Sequence, residues 1–291
     1  MHLLIPSARL RQVALLAGAL GAMALARMPA RAATTPNPEA DRLAFRAYFK
    51  QRFPAVKNGD WGNGPYAVNV GMRQQWEAIM QFPPYDFALG DGEKEFHRRF
   101  ADGKTYADCF PDKGIGIRQN YPYFDTKTGK VITLGIAINR CRVANGEKPL
   151  NYQKGLMASI EAYMAHTSRG KPFDIKIPND PRALAAYEDG RKFFYSRRGQ
   201  LNFSCASCHV QAAGQRLRGD ILAPALGILA AFPIYRSDWG SMGTIQRRFT
   251  SCNVQVRSVP FKPQDKTYRD LEYFLSYMSN GVPITGPGAR P

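Results

Sequence analysis

The sequence predicts a mainly α-helical protein that contains two tandem copies of one small unit. Two long segments of the chain align with earlier segments, in the same order and with cysteines at matching positions. The aligned pairs are residues 190–209 with 92–110, and residues 232–252, without a gap, with 121–141. Each copy then ends in a segment whose apolar residues have helical spacing. This self-similarity favours a duplication over chance identity.

Apolar spacing and breaker residues locate the individual helices and the boundary between the units. Helices are predicted over Asp41–Phe53, which Pro54 ends, over Val70–Met80, and in the terminal segments around Met157–Met164 and Leu271–Met278. Glycine and proline cluster between residues 170 and 181. We therefore predict a first unit over residues 34–172 and a second over residues 173–291.

The motif that determines the chemistry is Cys205-Ala-Ser-Cys208-His209. Two thiols separated by two residues and followed directly by histidine form the attachment site of a c-type haem. The thiols form thioethers with the macrocycle, and the imidazole becomes an axial ligand of the iron. A redox-active or zinc-binding CxxC pair is the alternative, although zinc would need two further ligands nearby.

The earlier copy of this motif has lost two of its three functional residues. Tyr106 aligns with the first haem cysteine and Phe110 with the histidine, while Cys109 is retained. The sequence therefore predicts tandem cytochrome c-like domains, the first lacking haem, with one covalently bound haem c in the second. A peroxidase-type cytochrome is a weaker alternative, because it would need a second haem.

The first 33 residues predict a secretory signal peptide, and so a periplasmic protein. Arg9 and Arg11 precede an apolar run that is shorter than a membrane span, and small residues follow it. A membrane anchor is the alternative, but no later segment is apolar enough for stable membrane insertion. The formal net charge of +17 indicates an acidic partner or an anionic substrate, and nucleic acid does not fit an exported haem protein.

The three remaining cysteines have different expected roles. Cys109 and Cys141 fall in the unit without haem, at positions that would face each other across a haem plane, so we predict a disulfide between them rather than two free thiols. Cys252 is left unpaired, beside Arg247 and Arg248. Nearby cations favour a thiolate, which can ligate iron or act as a nucleophile, and an arginine four residues earlier on a helix shares its face.

A structural cysteine beside two solvated arginines remains the plainer interpretation of Cys252. Met242 and Met278 are also candidates for the second axial position on the iron. Methionine ligation is typical of cytochromes that only carry electrons. The alternative function is therefore a plain periplasmic electron-transfer cytochrome with no substrate site.

The mature chain resembles the SoxA family, the catalytic cytochrome subunits of SoxAX complexes in bacterial thiosulfate oxidation. Four stretches carry the resemblance: Tyr106-Ala-Asp-Cys109-Phe110, Asn139-Arg140-Cys141-Arg142, Phe203 to His209, and Arg247-Arg248-Phe249-Thr250-Ser251-Cys252-Asn253. Family members with two haems have an intact CxxCH in the first unit. Since Tyr106 and Phe110 replace it here, the chain resembles the single-haem branch.

The resemblance implies an L-cysteine S-thiosulfotransferase reaction, in which thiosulfate is joined oxidatively to a cysteine of the carrier protein SoxYZ. It implies haem attachment through Cys205 and Cys208, with His209 and Cys252 as axial ligands of the iron. Cys252 would be catalytic and carry an extra sulfur as a persulfide. Arg248, with Arg247, would bind the substrate. A SoxX-type haem subunit would pass electrons to a downstream cytochrome c.

Overall fold

Helices account for most of the regular structure in the computed structural model, which describes residues 36–290. The predicted signal peptide, residues 1–33, lies outside the described residues. The helices are α1 (Pro38–Arg52), α2 (Pro65–Val68), α3 (Val70–Ile79), α4 (Asp86–His97), α5 (Leu134–Ala144), α6 (Leu156–His166), α7 (Pro181–Tyr195), α8 (Ile245–Gln255) and α9 (Lys266–Met278). The helices predicted from apolar spacing are confirmed, with bounds shifted by a few residues.

Short strands connect the helices. They are β1 (Tyr123–Asp125), β2 (Lys130–Ile132), β3 (Arg216–Leu217), β4 (Asp220–Ile221), β5 (Ile234–Arg236), β6 (Ser241–Gly243) and β7 (Gly288–Arg290). β1 pairs with β2, β3 with β4, and β5 with β6, all antiparallel. β7, at the end of the described chain, adds to β5 in parallel.

Two parts of the fold share one series of elements. In the first half (α4 to α6, residues 86–166) and in the second half (α7 to β7, residues 181–290), a long helix precedes a two-strand hairpin (β1–β2 or β5–β6) and two more helices. The second half also contains the β3–β4 hairpin and the strand β7, which the first half lacks. The helices that follow β2 and β6 each have a threonine as N-cap residue, Thr133 for α5 and Thr244 for α8. In α5 the Thr133 hydroxyl accepts the Ile136 amide at 3.2 Å, which satisfies one of the free donors at the helix start.

In each half the first and last helices cross at a glycine. A Cβ on Gly92 of α4 would lie 1.9 Å from the Ser159 carbonyl oxygen in α6. One on Gly190 of α7 would lie 2.1 Å from the Asp270 carbonyl oxygen in α9. Both helix pairs therefore approach each other more closely than a side chain would permit.

Helix α1 packs on the second half, although the predicted boundary places it in the first unit. Phe45 and Phe49 are buried in the same apolar core as Phe194 of α7 and Phe274 of α9. The Arg52 guanidinium donates to the carbonyls of Val210 (2.9 Å), Gln211 (2.9 Å) and Ala213 (2.9 Å). The residues from Pro36 onward form one compact unit. Among residues 36–290, no helix has both the length and the apolarity to cross a bilayer.

Candidate functional site

Two adjoining cavities in the second half share the residues that the sequence singles out. Their empty volumes are about 1040 Å³ and about 1580 Å³. Cys205, His209, Arg248 and Cys252 line both of them, and Cys208 lines the larger one. The fold therefore brings the CxxCH motif and the Arg248–Cys252 pair, which are separate in sequence, to a single site.

The His209 side chain is oriented for metal ligation. It lies on a short π-helical turn, Ser207–Gln211, and its Nδ1 is 2.8 Å from the Ala223 carbonyl oxygen. A carbonyl can only accept, so Nδ1 carries the proton and Nε2 keeps a lone pair. Burial lowers the pKa of His209 to about 4, which keeps the ring neutral.

Burial also keeps the two motif thiols protonated. It raises the pKa of Cys205 to about 11 and raises the pKa of Cys208, because a thiolate is poorly solvated in apolar surroundings. The Arg198 guanidinium approaches Cys205 Sγ at 3.7 Å and lies over the Phe193 ring, 3.5 Å from its centroid.

Helix α8 presents Arg248 and Cys252 to the cavities. The two residues are four apart on the helix, so they share a face. Among residues 36–290, no hydrogen-bond acceptor or carboxylate pairs with the Arg248 guanidinium. That side chain therefore has all its donors available for an anion that enters the cavity.

Buried polar contacts fix α8 on either side of this pair. Gln246 Nε2 donates to Glu272 Oε2 of α9 at 2.9 Å, and Gln246 Oε1 accepts the Gln264 amide at 2.9 Å. Asn253 Nδ2 donates to the Tyr268 hydroxyl at 3.0 Å. These contacts hold the helix in one rotation about its axis, which determines the direction of Arg248.

The walls of the smaller cavity fit a macrocycle. They are mostly apolar and aromatic, as a haem face requires, and include Phe194, Leu229, Phe232, Phe249, Leu271 and Leu275. The thiols, the neutral imidazole and the Cys252 sulfur supply the donor set of a covalently attached haem. Two cations, Arg236 and Arg290, belong to the same wall.

Known proteins are similar to this chain over most of its length. The family model "SoxA/TsdA, cytochrome c domain" matches residues 91–173 and 189–284. The L-cysteine S-thiosulfotransferase subunit SoxA of Allochromatium vinosum is 52% identical over 269 residues, 92% of this chain and 95% of that protein. The chain belongs to the SoxA family.

Further relatives agree with the assignment. The SoxA subunit of Chlorobaculum tepidum is 48% identical over 252 residues, 87% of each chain. A chain in the crystal structure of SoxXA from P. pantotrophus superposes with a TM-score of 0.65 at 29% identity, and covers 72% of this chain and 79% of that one. This SoxA-family chain is therefore a c-type cytochrome subunit of thiosulfate oxidation.

Some candidates from the sequence are not at the site. The Arg247 guanidinium lies over the Trp239 ring, 4.3 Å from its centroid, and donates to Ser241 Oγ at 3.0 Å. Met242 is buried in a separate apolar cluster and Met278 in the large core of the second half, and neither lines the two cavities. The geometry thus gives no support to a methionine ligand from these two positions.

The structure also shows cavity residues that sequence reasoning missed. Met72, Asp220, Arg236 and Arg290 line the smaller cavity. Arg290 could have been noticed as a basic residue at the C-terminus, but only the pairing of β7 with β5 brings it here.

In the first half the Cys109–Cys141 disulfide is present, with the Cα atoms 5.7 Å apart. The Tyr106 ring, fully buried, stacks on Phe96 with centroids 5.7 Å apart and meets the edge of Phe100 at 4.9 Å. Its hydroxyl accepts a hydrogen bond from Arg142 Nη1 at 2.6 Å.

Proposed function

We propose that this chain is the catalytic subunit that joins thiosulfate oxidatively to a cysteine of a SoxYZ-type carrier protein. The observation that carries the proposal is the position of Cys252 and Arg248. Both line the cavities that contain the haem-attachment residues Cys205 and His209. A sulfur nucleophile, an unpaired cation and a redox cofactor site thus occupy one place.

The proposed cofactor is one haem c, which Cys205 and Cys208 would hold covalently and His209 and Cys252 would ligate. When bound, the haem would supply one-electron redox chemistry. The Ala223 carbonyl orients His209 by accepting a hydrogen bond from Nδ1, which leaves the Nε2 lone pair for a metal. Cys252 offers its sulfur as a thiolate, or as a persulfide that carries one extra sulfur.

The reaction has two steps. First, the Cys252 thiolate forms a sulfur–sulfur bond with the terminal sulfur of thiosulfate, and two electrons leave to the cytochrome chain. Second, the carrier thiolate attacks the bridging sulfur, which lies between Cys252 Sγ and the sulfonate. The bond to Cys252 breaks, so that carrier–S–S–SO₃⁻ forms and the Cys252 thiolate is released. The two sulfur atoms lose two electrons when the first bond forms. The second step is a thiol exchange without a net redox change, so atoms and charge balance in both steps.

Arg248 binds the substrate in this scheme. Thiosulfate is a dianion, and a planar guanidinium can hold its sulfonate oxygens with two parallel hydrogen bonds. The proposal leaves Arg247 outside the substrate site, because its guanidinium is already bound to Trp239 and Ser241. The excess of positive charge on the chain favours the approach of the anion.

We also propose that the two halves arose by tandem duplication and that the first half binds no haem. The shared series of elements and the glycine crossings at Gly92 and Gly190 support the duplication. The aromatic core around Tyr106 supports the loss of haem. Tyr106 stands where the alignment puts the first haem cysteine, and its ring packs on Phe96 and Phe100. We keep the unit bounds 34–172 and 173–291. Helix α1 belongs to the first unit in sequence and packs on the second.

The proposed partners are a SoxX-type haem subunit, the SoxYZ carrier and a downstream cytochrome c. The relative from P. pantotrophus was crystallised as SoxXA, which favours a complex with the first of these. The proposed location is the periplasm, with residues 1–33 removed as a signal peptide, because c-type haem is attached outside the cytoplasm.

The decisive experiment replaces Cys252 by Ala in the haem-loaded complex with its SoxX-type partner. We expect conjugation of thiosulfate to the carrier, followed by intact mass, to fall by about 10⁴-fold or more, the scale seen when a catalytic nucleophile is removed. Ser251→Ala is the matched control, since the Ser251 hydroxyl only donates to the Arg247 carbonyl within the helix. Wild-type activity in Cys252→Ala would refute the proposed role of this sulfur.

A further inference from the structure

Two arginines face each other where the C-terminal strand joins the sheet. In the parallel pairing of β5 with β7, Arg236 is directly opposite Arg290. Both side chains line the smaller cavity. Like charges at directly opposed positions destabilise a strand pair unless an anion lies between or beside them.

The partners of Arg290 do not neutralise its charge. Its Nη1 donates to the Ala289 carbonyl at 3.0 Å and its Nη2 to the Asn63 carbonyl at 3.3 Å. The guanidinium lies over the Tyr66 ring, 4.6 Å from the centroid. Among residues 36–290 no carboxylate forms an ion pair with it. Burial lowers the pKa of Arg290 and the Arg236 charge adds to that shift, while the Tyr66 hydroxyl and the nearby Asp220 carboxylate act against it.

Arg236 is paired differently. Its Nη2 is 3.1 Å from a carboxylate oxygen of Asp220 and 3.1 Å from one of Asp238. Its Nε, by contrast, is buried without a hydrogen-bond partner. That nitrogen has less than 1 Å² of accessible surface, so Arg236 is held by its two carboxylates, and Arg290 is the cation left for a ligand of the cavity.

A cation in the cavity wall that forms no ion pair of its own suits the carboxylates of the cavity's occupant. Haem has two propionates, on the edge opposite to the two positions that form thioethers. Cys208 lines only the larger cavity, Arg290 only the smaller one and Cys205 both, so Arg290 is displaced from the Cys208 thioether position. We infer that Arg290 binds the haem propionates, so that the C-terminal strand closes the haem pocket.

This inference rests on the proposed covalent haem. The thioethers would fix one edge of the macrocycle, and Arg290 on β7 would fix the opposite, propionate edge. A guanidinium beside the propionates also stabilises the reduced, less positive iron, because it adds positive charge near the haem. Loss of that charge lowers the midpoint potential.

The test compares Arg290→Gln with wild type, as full-length, haem-loaded protein. The resonance Raman propionate-bending band reports hydrogen bonding to the propionates directly, and we expect it to shift in Arg290→Gln, with a lower midpoint potential. Arg290→Lys keeps the charge but loses the planar fork, so its band should shift while its potential stays nearer to wild type. An unshifted band in either variant would overturn the inference, even if the other variant did not fold.

Arg169→Gln is the matched control. Arg169 Nε donates to the Gly286 carbonyl at 3.0 Å and its Nη2 to the Pro287 carbonyl at 3.0 Å, so it holds the same C-terminal segment without lining the haem cavity. We expect its Raman band to match wild type. An equal shift in Arg169→Gln would mean that docking of the tail, and not contact with the propionates, causes the effect. A haem-loaded wild type without conjugation activity would contradict the proposed function and leave this test unaffected.

Discussion

The two halves place a shared series of elements around different centres. In the second half the first and last helices, α7 and α9, enclose an apolar cavity that reaches Cys205 and His209. In the first half, α4 and α6 enclose a core filled by protein side chains, with Tyr106 where the alignment puts the first haem cysteine. If the proposed duplication holds, one framework is completed by a cofactor in the second half and by aromatic rings in the first.

The helix that follows each hairpin differs in the same way. On α5, Cys141 is consumed in the disulfide with Cys109, and Ala137 occupies the position that aligns with Arg248. On α8, Cys252 is a free thiol, and within residues 36–290 the Arg248 guanidinium that shares its helix face has no hydrogen-bond or ion-pair partner. Residues 86–166 offer no such pair of groups on α5, so the proposed function assigns the chemistry to the second half and a structural role to the first.

The largest effect on stability is expected from Tyr106→Ala, which empties the centre of the first half. A fully buried aromatic ring truncated to alanine costs about 3–5 kcal/mol of unfolding free energy. Urea denaturation followed by circular dichroism measures the loss. Tyr106→Phe keeps the ring and loses the hydrogen bond from Arg142 and the one to Glu95, so it should cost about 1–2 kcal/mol. If both variants lost a similar amount of unfolding free energy, the hydrogen bonds of the hydroxyl, and not the volume of the ring, would stabilise this core.

The next effect distinguishes the two neighbouring arginines of α8. Arg248→Gln should lower conjugation by about 10²–10³-fold, the usual result of removing one donor that stabilises developing charge. Arg247→Gln should leave the rate within about 3-fold of wild type, since only its contacts with Trp239 and Ser241 are lost. Rates of carrier modification at saturating thiosulfate provide the measurement. Equal losses in the two variants would contradict the division of roles.

The smallest effect compares the two glycine crossings. A methyl group on Gly92 or Gly190 meets a carbonyl oxygen, and such overpacking costs about 1–3 kcal/mol. Gly190→Ala should also lower the yield of covalent haem, because displacement of α7 moves Phe194 in the cavity wall. Gly92→Ala should destabilise the protein to a similar degree and leave the haem yield unchanged. Haem is quantified per chain by its absorption after alkaline pyridine treatment, and a lower yield in Gly92→Ala would mean that the halves are not independent.

Sequence reasoning succeeded where the signal is local. The CxxCH spacing is fixed by covalent chemistry, the helical spacing around Met157 and Leu271 is fixed by the helix repeat, and each can be detected in a single window of residues. The family resemblance rested on such windows and is confirmed by relatives that cover most of the chain. The disulfide between Cys109 and Cys141 was predicted from the internal alignment, and the structure contains it.

The sequence by itself determined the set of chemical groups. They are two thiols and an imidazole for a haem, a further unpaired cysteine, Cys252, and two arginines close to it in sequence. Only the tertiary structure decided which arginine faces the cavity, because adjacent residues on a helix point in directions about 100° apart and packing sets the rotation. Arg247 went to Trp239 and Arg248 to the cavity. Likewise, only the pairing of β7 with β5 brought Arg290 from the end of the chain to the wall of the same cavity, a contact that no local pattern encodes.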